Sequence, residues 1–302
     1  ISRSSKIKIN ETISPECQNS IMKGLLSILQ EWESIMSEKR NFSRPTAAST
    51  GERIQKALSR SGWGSRREIE RLIRAGRIRK NEQMVALGDT LKPGDRVQLD
   101  DGRIVRVEEE KTELQVLLYN KPLGEVCTRK DEEGRATIFD KLPTVRSGRW
   151  INVGRLDINT TGLLLLTNSG ELAHRLTHPS YTIDREYAVR VYGNVDNAML
   201  RSLREGVEID GEVLAFNDIV PGEGSGANKW FYCLVQSGRN RAVRKLWESQ
   251  DVSVSRLMRV RFGNIMLPTD LRVGQHLELS KPLVSELCDL VGLNVNGVDK
   301  AS

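Results

Sequence analysis

An aspartate beside a leucine run is the residue of this sequence best placed to do chemistry. Asp157 lies in "VGRLDINTTGLLLLTNSGEL" (153–172), between Arg155 and four consecutive leucines. The leucine run, bounded by Gly162 and a polar "NSG", predicts a fully buried strand. We therefore expect Asp157 in the loop that leads into a core strand. A carboxylate there either accepts backbone N–H bonds in a turn or acts as a nucleophile or base.

Two later segments supply an aromatic and a basic side chain. In "REYAVRVYG" (185–193), Tyr187 shares strand parity with Val189 and Val191, which predicts that its ring faces the apolar side of a sheet. In "SGRNRAVRKLWES" (237–249), apolar residues recur at helical spacing and predict the buried stripe of a helix. The other positions form a basic cluster that suits a phosphate-binding face: Arg239, Arg241, Arg244 and Lys245.

The elements that must hold these residues alternate irregularly along the second half of the chain. Apolar patterns predict five strands, at 114–119, 163–167, 185–192, 230–235 and 256–262. They also predict four helices, at 171–177, 196–205, 240–249 and 285–291. Because strands and helices do not follow a strict βαβ rhythm, the sequence predicts an α+β domain with a largely antiparallel sheet, not a doubly wound nucleotide-binding fold.

Positive charge is concentrated in two places, although the net charge of the chain is only +6. Residues 51–80 hold ten Lys/Arg against three Glu, and residues 235–265 hold seven against two acids. Such patches favour a polyanionic partner. The cysteines are widely separated, and no apolar run reaches the roughly 18 residues of a membrane span, so we expect a cytoplasmic protein without a secretory signal.

Residues 51–111 are predicted to form a small basic domain. Two short helices are expected, and the second begins where Ser65 and Glu68 stand in capping-box register and ends at Gly76. Short strands then follow around a Pro-Gly and an Asp-Gly turn. With "SRREIERLIRAGRI" followed by "LKPGDRV", the segment resembles the S4-type RNA-binding domain. The resemblance implies that RNA contacts the basic helix, at Arg66, Arg67, Arg71 and Arg74.

The remaining segments are predicted to flank a second domain at residues 112–292. Residues 1–50 are expected to form a disordered tail and linker, with Met36 as a candidate natural start. The rival interpretation of this region is a short amphipathic helix at 21–35 that docks on a partner. Residues 293–302 are expected to form a C-terminal tail.

Nucleotide and metal motifs are not evident in the sequence. It contains no GxxxxGK[ST] phosphate loop and no GxGxxG after a strand, and "GEGSG" (222–226) lacks both the lysine and the following helix. His174 and His178 have the spacing of a metal pair, but no Cys, Asp or Glu completes a recognisable set. We therefore expect packing at a helix end from these histidines, and neither a cofactor nor a metal ion.

In their order, the aspartate, tyrosine and basic segments resemble the RsuA-type ribosomal RNA pseudouridine synthases. The resemblance covers residues 51–290, and "VGRLDINTTGLLLLTNSGELAHRLTHP", "REYAVRV" and "GRNRAVRKLWE" are similar to the family's three motifs. It implies that Asp157 is the catalytic aspartate, Tyr187 the active-site tyrosine, and Arg244 the basic residue that pairs with the aspartate. It also implies that Arg155 helps to flip the uridine.

Two segments around the aspartate motif point to a subgroup of this family. "CTRKDEEGRATIFDKLP" (127–143) and "GRWINVGRLD" (148–157) are most similar to the large-subunit enzymes. The resemblance implies an isomerase, an intramolecular transferase that converts one uridine of 23S rRNA to pseudouridine. Its partner would be that rRNA or a ribosomal-subunit assembly intermediate, and the enzyme would be a monomer. Another 23S uridine or a 16S uridine is the alternative target.

The implied reaction suits these residues because it breaks and remakes bonds at one sugar carbon without oxidation or reduction. Asp157 would either attack C1′ or remove a ribose proton, and the sequence does not choose between the two. One rival is an N-glycosidase, which usually needs a second carboxylate to manage water; Glu171 is the nearest in sequence. Another rival is a non-catalytic RNA-binding or ribosome-assembly module that uses only the basic surfaces.

Overall fold

The computed structural model describes residues 51–106, 113–224 and 227–295, and the first of these ranges forms a small region of its own. The tail and the rival helix predicted within residues 1–50 lie outside the described residues. The small region has two helices, α1 (Ile54–Arg60) and α2 (Arg66–Arg74). Its strands are β1 (Glu52–Arg53), β2 (Ile78–Lys80), β3 (Gln83–Met84), β4 (Thr90–Leu91), β5 (Arg96–Leu99) and β6 (Ile104–Arg106). Strand β1 pairs with β4, and the others form a sheet in the order β3-β2-β5-β6.

Helix α2 begins and ends where its sequence predicts. Glu68 N donates to Ser65 Oγ at 3.2 Å, and Ser65 N donates to the Glu68 carboxylate at 2.7 Å, which completes the capping box. The chain leaves the helix through Gly76, whose φ of +67° favours glycine. Ile69 and Ile73 pack in the core of the small region. The polar face of the helix is thereby left to solvent.

The second region is built on a nine-stranded sheet. Its strands are β7 (Val116–Lys121), β8 (Ile151–Val153), β9 (Thr161–Thr167), β10 (Arg185–Tyr192), β13 (Asp218–Pro221), β14 (Asn228–Val235), β15 (Ser253–Phe262), β16 (Ile265–Met266) and β17 (His276–Glu278). The main path runs β13-β14-β10-β15-β9-β7-β17, with β16 beside β15 and β8 beside β9. Among the described strand pairs of this sheet, β15 with β9 alone is parallel. The predicted α+β fold with a largely antiparallel sheet is confirmed.

In the described ranges 113–224 and 227–295, four helices and a small hairpin complete this region. The helices are α3 (Gly170–Thr177), α4 (Asn197–Glu205), α5 (Ala242–Glu248) and α6 (Lys281–Asp289), and the hairpin strands are β11 (Val207–Ile209) and β12 (Glu212–Leu214). A single 3-10 turn follows α3 at Pro179–Tyr181. None of the helices in the described part of the chain is long and apolar enough to cross a membrane.

Two of the four predicted helices differ from their predicted bounds by more than one residue, for local backbone reasons. The helix predicted at 240–249 begins at Ala242, because Arg241 has a φ of +54° and lies in the left-handed region. The helix predicted at 285–291 begins earlier, at Lys281, with a proline in its first turn, where a missing N–H costs no hydrogen bond. Both boundaries depend on backbone geometry that apolar spacing does not report.

Strand β9 is buried on both faces, as its leucine run predicts. Leu163 and Leu165 pack in a cluster that includes residues of α3 and α6, whereas Leu164 and Leu166 pack on the opposite face. All four side chains are at most 1% exposed. A strand held on two sides gives the loop before it a rigid anchor, and Asp157 lies in that loop.

Candidate active site

Asp157 opens a tight turn immediately before β9. Thr160 N donates to Asp157 O at 3.0 Å across this turn, and Gly124 N donates to Ile158 O at 2.9 Å from the side. The Asp157 carboxylate is half-buried and faces a cavity. Within the described part of the chain, no group donates a hydrogen bond to this carboxylate. The backbone of Asp157 therefore forms the turn, and its side chain is left available for a ligand.

A cavity of about 250 Å³ brings the predicted catalytic residues together. Asp157 lines it from the turn before β9, Tyr187 from β10 and Arg244 from α5. Three of the predicted RNA contacts also line this cavity: Arg155, Arg239 and Arg241. Residues from three separate segments of the chain thus converge on one site.

The Arg244 guanidinium holds the turn that contains Asp157 by donating to backbone carbonyl oxygens. Its Nη2 donates to Asn159 O at 2.8 Å, and its Nη1 donates to Val254 O at 3.1 Å. Burial lowers the pKa of Arg244, as does the nearby charge of Arg241, while Asp157 acts electrostatically in the opposite direction. The resemblance implies that this arginine pairs with the aspartate. In the structure the two interact electrostatically, but the hydrogen bonds of the guanidinium go to carbonyl oxygens.

Lys121 is a second cation beneath the same turn, and the sequence analysis did not identify it. This lysine ends β7, is fully buried, and donates from Nζ to Asp157 O at 3.2 Å, Thr160 O at 3.0 Å and Pro122 O at 2.9 Å. Burial lowers the pKa of Lys121, and the neighbouring groups Cys127, Glu125 and Asp157 oppose that shift. A lysine at the end of an otherwise apolar strand is the signal that could have revealed it.

Tyr187 stands between two apolar clusters in the middle of the sheet. It lies opposite Cys233 of β14 on one side and Arg259 of β15 on the other. Its ring packs against apolar clusters, as the strand parity predicts, and lines the cavity beside Asp157. An aromatic ring in this position presents a flat surface to any planar ligand in the cavity.

The basic cluster around α5 is divided between the cavity and its rim. Arg239 and Arg241 line the cavity and also form ion pairs, with Glu212 at 2.9 Å and with Glu248 at 3.5 Å. Lys245 instead pairs with Asp210 and is not among the residues that line the cavity in the described part of the chain. Its predicted role as an RNA contact is therefore separate from the site itself.

A larger cleft of about 1460 Å³ adjoins the cavity and reaches the small region. Arg155 is exposed and lines both the cavity and the cleft, and Arg66 of α2 lines the cleft from the other side. Arg149 crosses between the two regions, where its Nη2 donates to Ser59 Oγ at 2.5 Å. Of the predicted RNA contacts on α2, Arg66 is thereby connected to the cavity through the cleft.

The other cations predicted on α2 face solvent. Arg67, Arg71 and Arg74 are exposed, and none of their guanidinium groups forms a hydrogen bond or an ion pair with another described residue. Arg77 and Arg103, in contrast, pair with Asp100 and Asp101. The guanidinium groups of these three helix arginines therefore remain free for an external anion.

The two histidines predicted at a helix end lie where that prediction places them. The rings of His174 and His178 are 5.3 Å apart, and His178 Nδ1 is 2.7 Å from Ser180 Oγ. Among the described residues, no group of three His, Cys, Asp or Glu side chains is arranged to hold a metal ion. These histidines thus belong to the junction of α3 and the 3-10 turn.

Comparison with protein families finds a match in each region. The family described as RNA pseudouridylate synthase matches residues 115–249, and the S4 domain matches residues 52–97. A crystal structure titled pseudouridylate synthase has a TM-score of 0.55 with 24% identity and covers 78% of this chain and 99% of that one. The fold and the site thus define a protein with an S4 domain followed by a synthase-type domain.

Two sequence relatives extend the assignment from the fold to the family. Ribosomal large subunit pseudouridine synthase B of Pseudomonas aeruginosa is 52% identical over 245 residues, which cover 80% of this chain and 63% of that protein. The protein of the same name from Escherichia coli K12 is 50% identical over 245 residues, which cover 80% of this chain and 84% of that protein. This chain belongs to the pseudouridine synthase family. It spans less than two thirds of the length of the Pseudomonas relative.

Proposed function

We propose that this protein isomerises a uridine of 23S ribosomal RNA to pseudouridine, with Asp157 as the catalytic carboxylate. The observation that carries the proposal is the convergence of Asp157, Tyr187 and Arg244 on one cavity from three segments of the chain. The relatives named as large-subunit synthases support 23S rRNA as the substrate. An RNA-binding S4 domain beside the cavity supports the same class of substrate.

The proposed reaction breaks the C1′–N1 bond, turns the uracil, and joins C5 to C1′. Asp157 begins it either by attacking C1′ or by removing a ribose proton. Both routes need an ionised carboxylate with an open face. The absence of any described donor to the Asp157 carboxylate and the cationic Arg244 and Lys121 beneath the turn support that requirement.

The target nucleotide must leave its stack before C1′ and C5 can be reached. Extrusion costs a few kcal/mol, about what several backbone contacts offset. Arg155, exposed at the junction of cavity and cleft, is positioned to occupy the space that the flipped base leaves. Tyr187 offers its ring for stacking on the base, and the cations of α2, of the cleft and around α5 offer phosphate contacts.

We further propose that the protein acts as a cytoplasmic monomer on free rRNA or on a large-subunit assembly intermediate, with the domain limits 51–111 and 112–292. Hydrolysis by an N-glycosidase is a weaker candidate. Glu171, the nearest second acid in sequence, pairs with Arg175 at 2.7 Å and is not among the described residues that line the cavity of Asp157. Glu171 therefore does not provide a water-managing carboxylate at this cavity.

Release of tritium from C5-labelled uridine tests the proposal. The substrate is 23S rRNA that lacks the modification, and 16S rRNA prepared in the same way is the control. We expect stoichiometric release from 23S rRNA with no free uracil. Free uracil as a product would support the glycosidase, and RNA binding without turnover would support a non-catalytic assembly factor. A pseudouridine map of rRNA from cells that lack the gene would identify the target.

A further inference from the structure

Arg259 is a buried arginine to which the proposed reaction assigns no role. Its side chain is 2% exposed, yet it lines the same cavity as Asp157 and Tyr187. Its Nε donates to Leu163 O at 2.7 Å, and its Nη2 is buried without a hydrogen-bond partner. A buried guanidinium nitrogen without an acceptor destabilises a protein, so its presence beside a cavity points to an acceptor supplied by a ligand.

A bulge in β15 directs the Arg259 side chain toward the cavity. Tyr187 of β10 lies opposite Arg259, whereas the preceding residue, Glu186, lies opposite Arg261, so Val260 is an extra residue in β15. Arg261 accordingly pairs with Glu186 at 2.9 Å. Arg259 instead lies beside Tyr187 at the cavity. Bulges of this kind commonly re-aim a side chain next to an active site.

The backbone and the guanidinium of Arg259 are both held in place. A Cβ on Gly162 of β9 would lie 2.3 Å from Arg259 O, so glycine alone permits the strands to approach this closely. The guanidinium lies over the ring of Phe262 at 5.1 Å from its centroid. A charge fixed in this way needs little reorganisation when a negative charge develops beside it.

The chemistry of the proposed reaction supplies one such charge. When the C1′–N1 bond breaks, its electron pair stays with the uracil and spreads from N1 over O2 and O4. C1′ meanwhile bonds to an Asp157 oxygen, or gains a double bond to C2′ as Asp157 takes the C2′ proton. The uracil anion then attacks C1′ through C5. This attack displaces the Asp157 carboxylate from C1′ or, in the second route, C2′ takes its proton back from Asp157 as the C5–C1′ bond forms. C5 finally loses its proton to solvent, and N1 takes one up. The anion exists between these two steps and must be held in the cavity.

We propose that Arg259 donates from Nη2 to a carbonyl oxygen of the flipped uracil and stabilises the uracil anion during the rearrangement. The inference rests on the proposed function. A base stacked on Tyr187 lies within reach of the residue directly across the strand pair. The burial of Arg259 separates it from the exposed cations that suit phosphates.

The test compares two leaving groups in one RNA. Once the target is mapped, a synthetic RNA carries either uridine or 5-fluorouridine at that position, and single-turnover rates are measured at saturating RNA by mass spectrometry of the digested nucleosides. Fluorine withdraws electrons and stabilises the departing anion. We expect Arg259→Gln to slow loss of the uridine N-glycoside by about 100-fold. With 5-fluorouridine the same variant should be slowed by less than about 10-fold, and its RNA Kd should change by less than about threefold.

Two variants separate this role from a structural one. Arg259→Lys keeps the cation, and we expect its rate on uridine to stay within about tenfold of the parent. Arg261→Gln is the matched control, because Arg261 lies on the same strand and outside the described cavity lining. It should slow both substrates by the same factor, and thermal unfolding of each variant reports whether it is folded.

The rates on the two substrates distinguish failure of this inference from failure of the proposed function. If Arg259→Gln slows uridine and 5-fluorouridine equally, or if Arg259→Lys is as slow as Arg259→Gln, the inference is overturned while the proposed function stands. If the unaltered protein converts no uridine in rRNA, the proposed function fails and the inference fails with it.

Discussion

The two basic surfaces of this protein hold their arginines in opposite ways. Along α2, Arg67, Arg71 and Arg74 are exposed, and their side chains form no hydrogen bond or ion pair with another described residue. In the cavity, Arg244 and Arg259 are buried and donate to backbone carbonyl oxygens. An exposed cation contributes a screened, adaptable attraction, whereas a buried one fixes geometry in a medium of low dielectric constant. The first surface therefore suits affinity for RNA, and the second suits chemistry.

The largest effect should follow from a change that leaves both surfaces intact. Asp157→Asn removes the charge of the carboxylate and preserves its shape, so we expect tritium release to fall by at least about 1000-fold. RNA affinity should not change, because the carboxylate contributes no cation. Filter binding beside the tritium assay measures both quantities. Turnover within tenfold of the parent would remove Asp157 from the mechanism.

Lys121 tests whether the buried cations act by fixing geometry. Lys121→Met leaves three carbonyl oxygens without their ammonium donor and frees the catalytic turn, so we expect a loss of about 2 kcal/mol in the free energy of unfolding. Turnover should fall by about 100-fold because the carboxylate shifts. The exposed Lys130, changed to Met, is the control for loss of charge alone. A variant that is destabilised but fully active would contradict the geometric role.

The same lysine predicts a pH dependence of stability. Burial lowers the pKa of Lys121 below its ordinary 10.5, so the unfolded chain retains this proton to higher pH than the folded one. Stability from this group therefore rises with pH between the folded-state value and 10.5. The difference in free energy of unfolding between the parent and Lys121→Met should grow over that interval in urea titrations. A constant difference would show that the lysine is not buried as described.

Neutralising the exposed arginines should affect binding and spare chemistry. With Arg67, Arg71 and Arg74 changed to Gln, the slope of log Kd against log salt should decrease by about 2 to 3, since three phosphate contacts are lost. Turnover at saturating RNA should stay within about twofold of the parent. Arg77→Gln is the matched control, because Arg77 is already paired with Asp100. An unchanged salt slope in the triple variant would assign the RNA contact to another face.

The smallest expected effect is on stability, from removing the N-cap of α2, the helix that carries these arginines. Ser65→Ala should cost about 1 kcal/mol of stability without altering turnover. The backbone N–H of Ser65 and, to a smaller extent, its side chain lower the pKa of Glu68 below 4.5. Ser65→Ala removes the side-chain share, which is present above that pH and is lost as the pH falls through the folded-state value. Ser169→Ala removes the cap of α3, where no glutamate completes a box, and should show no such loss. If the free energy of unfolding of Ser65→Ala and Ser169→Ala changed with acid pH in the same way, the capping box would not contribute as described.

The features that the sequence predicts correctly are those that depend on residues close together along the chain. Strand β10 and the capping box of α2 were predicted residue for residue, because alternation and cap chemistry are local. The hydrogen bonds of Arg244 to the Asn159 and Val254 carbonyl oxygens were not predicted, since these acceptors lie outside its own helix. Its pairing with Asp157 stays a prediction. The positions of Lys121 and Arg259 at the site were not predicted, because each is a single basic residue within an apolar pattern. Their hydrogen-bond acceptors come from other strands and loops.

The two regions and the burial of β9 on both faces follow from the sequence alone, because periodicity records which residues avoid water. The segments with the aspartate, the tyrosine and the basic helix were grouped by their resemblance to a known family. Folding in three dimensions leaves the Asp157 carboxylate open, brings Arg244 and Lys121 to its turn, and places Arg259 beside Tyr187. Those relations join distant parts of the chain, and the physical reason is that hydrogen bonding within a low-dielectric interior depends on three-dimensional distance rather than on position along the sequence.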